Sequence, residues 1–260
     1  MKVFVYAREK DSVYESVMGR LSQICATTVE NISDCDVVVT IGGDGTILKA
    51  GIPAAKSGKP LLGINTGRLG FMATLETNEL DKLERLIKKD YAVSRRMILE
   101  VRFNGEVFHA LNDVVLQRGE ERLPEFTVIR GGSGKSGNSA NSENTEVMKV
   151  RADGVIISTP TGSTAYSLSA GGPIVEPELE CFLVTALNPH TLFNRSMIFT
   201  TDKPLRIRAG DVSVSVDFNR EVLRSDEVVI TKSGEVLDLI DIDGHNFYDS
   251  IHNKLMRSLK

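Results

Sequence analysis

Apolar and polar positions along this chain follow two periods, and the change comes near Arg95. Before it, short apolar runs are each followed by a stripe at helical spacing. Val3 to Ala7 is such a run, and Val13, Val17, Leu21 and Ile24 then recur on one face. Val37 to Ile41 is a second run, followed by a helix predicted from Thr46 to about Lys56 and closed by Ser57-Gly58. Pro60 to Ile64 is a third. Thr77 is the predicted cap of a helix that buries Leu80, Leu83, Leu86 and Ile87.

After Arg95 the period is 2. Leu99, Val101 and Phe103 alternate with Glu100 and Arg102, Asn104-Gly105 offers a two-residue hairpin turn, and Val107 to Leu111 returns. Further strands are predicted around Phe126 to Arg130, Val147 to Arg151, Gly154 to Ser158, Cys181 to Leu187, Leu205 to Arg208, Val212 to Val216, Val228 to Thr231 and Val236 to Ile242. Beyond Gly244 the helical period reappears in Phe247, Ile251 and Leu255. The expected fold is an α/β N-terminal domain with a Rossmann-like parallel sheet, plus a mostly β C-terminal domain, the last helix packing back on the first domain. The expected boundaries are 1–95 plus 244–260 for the first domain and 96–243 for the second.

The chemistry concentrates where the second run ends, in Gly42-Gly43-Asp44-Gly45-Thr46. A strand-to-helix turn of glycines lets backbone approach a ligand, and the N–H groups of the following helix face the same point, which makes a phosphate seat. A carboxylate there repels phosphate unless it has another task. Asp44 can hold a Mg²⁺ that screens the phosphates, or accept a proton from a hydroxyl that attacks one. An ordinary tight turn with Asp44 capping its helix is the bland alternative.

A second dense stretch runs from Arg151-Ala152-Asp153 through Thr159-Pro160-Thr161-Gly162-Ser163-Thr164-Ala165-Tyr166-Ser167 to Gly171-Gly172-Pro173. Its small hydroxyl residues suit the polar edge of a nucleotide, Tyr166 can flank a ring, and Asp153 can accept from a ribose hydroxyl or an amine. A loop that merely caps its own helix is equally open. Asn112-Asp113 interrupts two apolar runs, where polar side chains either turn the chain or hold a ligand. Asp217, at the end of Val212 to Val216, raises the same question.

Gly134-Lys135-Ser136 invites a Walker A reading, but the first glycine of that motif would fall on Ile129, and no helix pattern follows. The polar stretch from Gly131 to Thr145 reads as a hairpin tip. The net charge of −4 argues against a nucleic-acid partner. Cys25, Cys35 and Cys181 lack metal or disulfide spacing, and the expectation is a cytoplasmic protein without signal peptide or membrane span. His109, His190, His245 and His252 also lack ligand spacing.

Taken in order and spacing, Gly42 to Thr46, Asn65-Thr66-Gly67-Arg68-Leu69-Gly70-Phe71, Leu111-Asn112-Asp113 and Asp153 through Tyr166 with Gly171-Gly172-Pro173 closely resemble the NAD kinase family. The resemblance implies transfer of the γ-phosphoryl group of ATP to the 2′-hydroxyl of NAD's adenosine ribose, with Mg²⁺ held mainly by the ATP phosphates. It implies that Asp44 is the catalytic carboxylate and that Gly43, Gly45 and Thr46 form the phosphate turn. The NAD site it implies takes Asp44, Gly45, Phe71 near the nicotinamide, Asn112, Asp113, Arg151, Asp153, Thr161, Thr164, Ala165 and Tyr166. Some of these act on a neighbouring subunit, because the family works as homodimers or homotetramers. Arg195, after Pro189-His190-Thr191-Leu192, matches a basic position of the family. One departure is Asp217-Phe218, where many members carry Asp-Gly. Two rivals stay open at this point: a diacylglycerol-type lipid kinase sharing the GGDGT turn, and a non-catalytic dinucleotide sensor.

Overall fold

Five consecutive buried residues, Val37–Ile41, form a strand covered on both faces, which is what a continuous β-branched run requires. In the computed structural model this strand is central to the first of two units. The structure describes residues 1–67, 70–119, 123–131, 144–191, 194–217, 223–242, 244 and 247–252. In chain order the first elements are β1 (Lys2–Ala7), α1 (Ser12–Gln23), β2 (Thr27–Val29), β3 (Val37–Ile41), α2 (Asp44–Lys56), β4 (Leu61–Asn65), β5 (Leu75–Glu76) and α3 (Glu84–Lys88). Then come β6 (Ala92–Phe103), β7 (Glu106–Ala110), β8 (Asp113–Arg118), β9 (Glu125–Arg130), β10 (Thr145–Arg151), β11 (Gly154–Ser158) and α4 (Tyr166–Ser169). The chain closes with β12 (Cys181–Leu187), β13 (Met197–Thr200), β14 (Leu205–Val216), β15 (Leu223–Asp241) and α5 (Phe247–Ile251). Unit 1 comprises Met1–Arg96 and Glu235–Lys260, and unit 2 comprises Met97–Gly234.

Unit 1 is an α/β layer. β1 pairs in parallel with β2 and β3, β3 with β4, and β4 with β5 and with Leu239 of β15. Parallel pairing forces a crossover between strands, and α1 and α2 supply it. The core joins Val17 and Leu21 of α1 to Val39, Ile64, Leu86 and Ile240. Asp11 caps α1 through Val13 N–H and Tyr14 N–H, both at 3.0 Å. The C-terminal helix α5 belongs to this unit, and its Phe247 ring lies 6.4 Å from that of Phe71. Leu255, the last residue of the predicted stripe, is outside the described residues.

Unit 2 is antiparallel. β8 lies between β11 and β14, β12 between β11 and β13, and β9 between β10 and β14. Inward residues such as Leu99, Phe126, Val155, Phe182 and Ile207 form its core. Asn104 and Gly105 both have positive φ, +52° and +80°, as the predicted hairpin turn between β6 and β7 requires.

Several expectations are corrected. The helix expected from Thr46 begins at Asp44. The stretch after β5 is a 3₁₀ turn, Thr77–Leu83, before α3, and its cap is Glu76, which exchanges a capping box with Glu79, rather than Thr77. Ile87 is exposed instead of buried. Leu205–Val216 is one strand, its pairing shifted between Arg208 and Val212, and Leu223–Asp241 is also one strand. β2, β5 and β13 are strands that the pattern does not announce. Most of the Gly131 to Thr145 stretch lies outside the described residues, as do His245, Arg68 and Leu69.

Candidate active site

Each unit carries one of the two chemical stretches. In unit 1, β3 delivers the chain to Gly42, whose φ of +146° suits glycine. A Cβ at Gly42 would lie 2.2 Å from Thr46 Oγ1, so the turn closes only without one. Gly43 follows at φ −88°, an ordinary conformation, and a Cβ there would meet no atom within 4 Å. Its small size therefore leaves space above the turn and is not demanded by the backbone.

Asp44 opens the thirteen-residue helix α2, but it does not cap it; Gly43 is the N-cap and no side chain caps the helix. The half-buried carboxylate turns instead to the loop after β4. Phe71 N–H donates to Asp44 Oδ2 at 2.8 Å and Met72 N–H to Oδ1 at 3.2 Å. Asn65 shapes the start of that loop, its side chain accepting from Gly67 N–H at 3.2 Å and donating to Gly67 O at 3.1 Å. Gly70 sits directly against the carboxylate: a Cβ there would fall 1.9 Å from Asp44 Oδ1. A carboxylate offers about four acceptor positions, so two amides fix its plane and leave a lone pair on each oxygen. Thr46 is buried, with its N–H on Gly43 O at 2.8 Å, which leaves Asp44 and Gly45 as the residues that present N–H groups at the helix start.

In unit 2 the segment Leu111–Asp113 is held from two sides. Asp217, at φ +48°, accepts Leu111 N–H at 2.8 Å, Asn112 N–H at 2.9 Å and Asp113 N–H at 3.1 Å. From the end of β11, Thr159 N–H donates to Asn112 O at 2.8 Å and Thr159 Oγ1 to Leu111 O at 2.6 Å. Gly162 packs so closely that a Cβ would lie 2.2 Å from Asn112 O. Burial, reinforced by the neighbouring Asp217 charge, pushes the Asp113 carboxyl up to about 7. Burial also raises Asp217, against the pull of its three amide donors. Those three donors favour the charged form of Asp217 and oppose its burial.

The threonine tract folds as a 3₁₀ turn, Thr161–Thr164, running into α4, with no side-chain cap on either. Thr161 is buried and its Oγ1 has no hydrogen-bond partner, the kind of orphan that a ligand atom satisfies. Thr164 Oγ1 donates to Thr161 O at 3.3 Å, Ala165 is half-buried and Tyr166 is exposed. Asp153 pairs with Arg118 at 3.0 Å and accepts from Asn188 Nδ2 at 2.9 Å. Arg151 is exposed, and its carbonyl accepts from His190 N–H at 2.8 Å. Arg195 is exposed, its guanidinium 3.5 Å from Asn194 O. Within unit 2 the structure thus gathers Asn112, Asp113, Thr161, Thr164 and Asp217 around one buried segment. Phe218 to Glu221 and Leu192 lie outside the described residues.

Sequence reasoning missed the amides of Phe71 and Met72 and the role of Gly70. The only available signal was a glycine immediately before Phe71 in the Asn65 to Phe71 stretch. It also left Asp217 and Thr159 without partners.

Comparison with known proteins decides among the readings. Residues 7–91 match the ATP-NAD kinase N-terminal domain and residues 125–242 the ATP-NAD kinase C-terminal domain. The chain belongs to the NAD kinase family. An NAD kinase of Cellvibrio japonicus is 36% identical over 275 residues, spanning 97% of this chain and 88% of that protein. An NAD kinase of Symbiobacterium thermophilum is 38% identical over 258 residues, spanning 94% and 87%. The fold is shared with a crystal structure of an NAD kinase from Archaeoglobus fulgidus in complex with ATP, at TM-score 0.80, 24% identity and 98% and 99% coverage. It is shared equally with a yeast NADH kinase complexed with NADH, at TM-score 0.80, 24% identity and 99% and 87% coverage. Family membership makes the chain a phosphotransferase, and neither the lipid-kinase nor the sensor reading finds support.

Proposed function

We propose that this protein transfers the γ-phosphoryl group of ATP to the 2′-hydroxyl of NAD's adenosine ribose, giving NADP and ADP, with Asp44 as the base. The observation that supports this most is the setting of that side chain: a carboxylate at a helix start, its plane fixed by Phe71 and Met72 N–H, against a Gly70 that has no room for a Cβ. A sugar hydroxyl is a weak nucleophile at neutral pH. A fixed carboxylate with a free lone pair on each oxygen accepts its proton as the bond to phosphorus forms, and the N–H groups at the start of α2 face the phosphate charge. Asn112, Asp113, Thr161, Thr164, Ala165, Tyr166, Phe71, Arg151 and Asp153 are assigned to NAD, with the orphan hydroxyl of Thr161 supporting a ligand beside that turn.

Mg²⁺, when bound, supplies neutralisation of the phosphate charge. The ligands assigned to it are mainly the ATP phosphate oxygens, in keeping with the hard ion's habit. The working form is assigned as a homodimer or homotetramer in the cytoplasm. The reading is supported by the free state of all three cysteines and by an edge strand, β13, that exposes Ile198. Among the described residues no helix is long and apolar enough to cross a membrane.

The test is to incubate the protein with NAD, ATP and Mg²⁺ and to locate the new phosphate by phosphorus NMR. A 2′-phosphate on the adenosine ribose is expected. Absence of NADP, or phosphate on another hydroxyl, refutes the assignment.

A further inference from the structure

We propose that Asp217 is a positioning residue that aims Asn112 and Asp113 at the dinucleotide. This rests on the phosphotransfer reading above and adds to it a residue that acts through its neighbours.

Three consecutive N–H groups, those of Leu111, Asn112 and Asp113, converge on one carboxylate, Oδ2 taking the first and Oδ1 the other two. Such convergence bends the backbone into a fixed arc, because three peptide planes must point at one centre. The return bond, from Asp217 N–H to Asp113 O at 2.9 Å, ties the arc to the end of β14. On the other side Thr159 takes the carbonyls of Leu111 and Asn112. The peptide groups on both sides of Asn112 are therefore spoken for, and the directions of the Asn112 and Asp113 Cα–Cβ bonds follow.

The backbone of Asp217 shows that the side chain matters. At φ +48° a glycine would sit without strain, and Asp is among the few other residues that adopt this conformation, so the position admits a carboxylate that a glycine would not supply. The pairing of Val114 with Val216 and with Ile157 fixes β8 just beyond the arc, but Leu111 and Asn112 precede that strand, and it is Asp217 that takes their N–H groups.

Two variants separate hydrogen bonding from strain. Asp217→Gly relieves the left-handed backbone and removes all three acceptors. Asp217→Asn tolerates the same backbone and keeps one carbonyl oxygen for two of the amides, while its NH₂ opposes Leu111 N–H. The readouts are amide hydrogen exchange at Leu111 to Asp113 and separate KM values for NAD and ATP. In Asp217→Gly, exchange at the three amides should accelerate at least tenfold. Its KM for NAD should rise tenfold to a hundredfold, with KM for ATP within twofold of the wild type. Asp217→Asn should fall between the two.

Faster exchange with an unchanged KM for NAD overturns the proposal, as does an equal rise in both KM values. If Asp217→Gly does not fold, the same comparison on Asp217→Asn decides. If the wild type itself makes no NADP, the phosphotransfer reading fails on its own, and calorimetric titration of wild type and Asp217→Asn with NAD then decides the positioning role.

Discussion

Replacing Gly70 by Ala places a methyl group where the proposed catalytic oxygen already is. The Cβ would lie 1.9 Å from Asp44 Oδ1, 2.6 Å from its Cγ and 2.9 Å from Oδ2. Ordinary contact needs roughly 3.4 Å, so one of the two must move by more than about 1 Å. The atoms that such a Cβ would meet all belong to the Asp44 side chain, which can rotate, so Asp44 yields. Rotation breaks its bonds to Phe71 and Met72 N–H and moves the base off its line to the hydroxyl. A misplacement of about 1 Å costs on the order of a hundredfold in rate, or about 2.7 kcal/mol of barrier. Loss of the two amide bonds adds a stability cost of about 1–3 kcal/mol, which leaves a typical domain folded. The expected outcome for Gly70→Ala is therefore a kcat for NADP formation about a hundredfold below wild type, with KM for NAD within about threefold and a cooperative melt retained. A kcat within about threefold of wild type refutes the reasoning, since the methyl group cannot be accommodated without disturbing that carboxylate.

Two further predictions concern unit 2. Gly162→Ala sets a Cβ 2.2 Å from Asn112 O and 2.7 Å from Asn112 Cα, and here the obstacle is backbone that cannot rotate away; chemical denaturation should show a loss of about 1–3 kcal/mol or more, and a change under about 0.5 kcal/mol contradicts the packing described. Asp113, raised from 3.8 to about 7, binds its proton more tightly folded than unfolded. Stability from this group is thus greatest at low pH, falls between about pH 4 and 7 and levels off above, by up to about 4 kcal/mol at 1.36 kcal/mol per pH unit. Asp113→Asn removes that dependence, so denaturation across pH 4 to 8.5 should show the variant gaining on wild type up to about pH 7. A difference flat in pH refutes it.

What the sequence made legible was local. Val37–Ile41 and Gly154–Ser158 are buried on every residue and read directly as strands; the glycines after Ile41 mark the turn, and Asn104-Gly105 marks its hairpin. Short edge elements were not legible, because three or four residues such as Met197–Thr200 hold too few positions to show a period. The gaps after Arg208 and Thr231 divide predicted strands, yet Leu205–Val216 and Leu223–Asp241 each run on; β14 changes neighbour across its gap, from β9 at Leu205–Arg208 to β8 at Val212–Val216. Candidate residues could be named from the sequence, and the bonds they make could not. Asp44 meets amides 27 and 28 positions away, and Asp217 meets amides 104 to 106 positions away, and no spacing rule links residues so separated. Asp217 in particular stood out as a polar residue at the end of an apolar run and beside Phe218, a departure from Asp-Gly, while its partners depended on how β8 and β14 pair.

The central claim is that one fixed carboxylate deprotonates the ribose hydroxyl as phosphoryl transfer proceeds. Rapid-quench single-turnover measurement on wild type and Asp44→Asn, with NAD, ATP and Mg²⁺ saturating, isolates that step from product release. The account predicts a chemical step slower by about 10²–10⁴-fold in Asp44→Asn, with NAD affinity by calorimetry changed far less. A single-turnover rate within about threefold of wild type would contradict it.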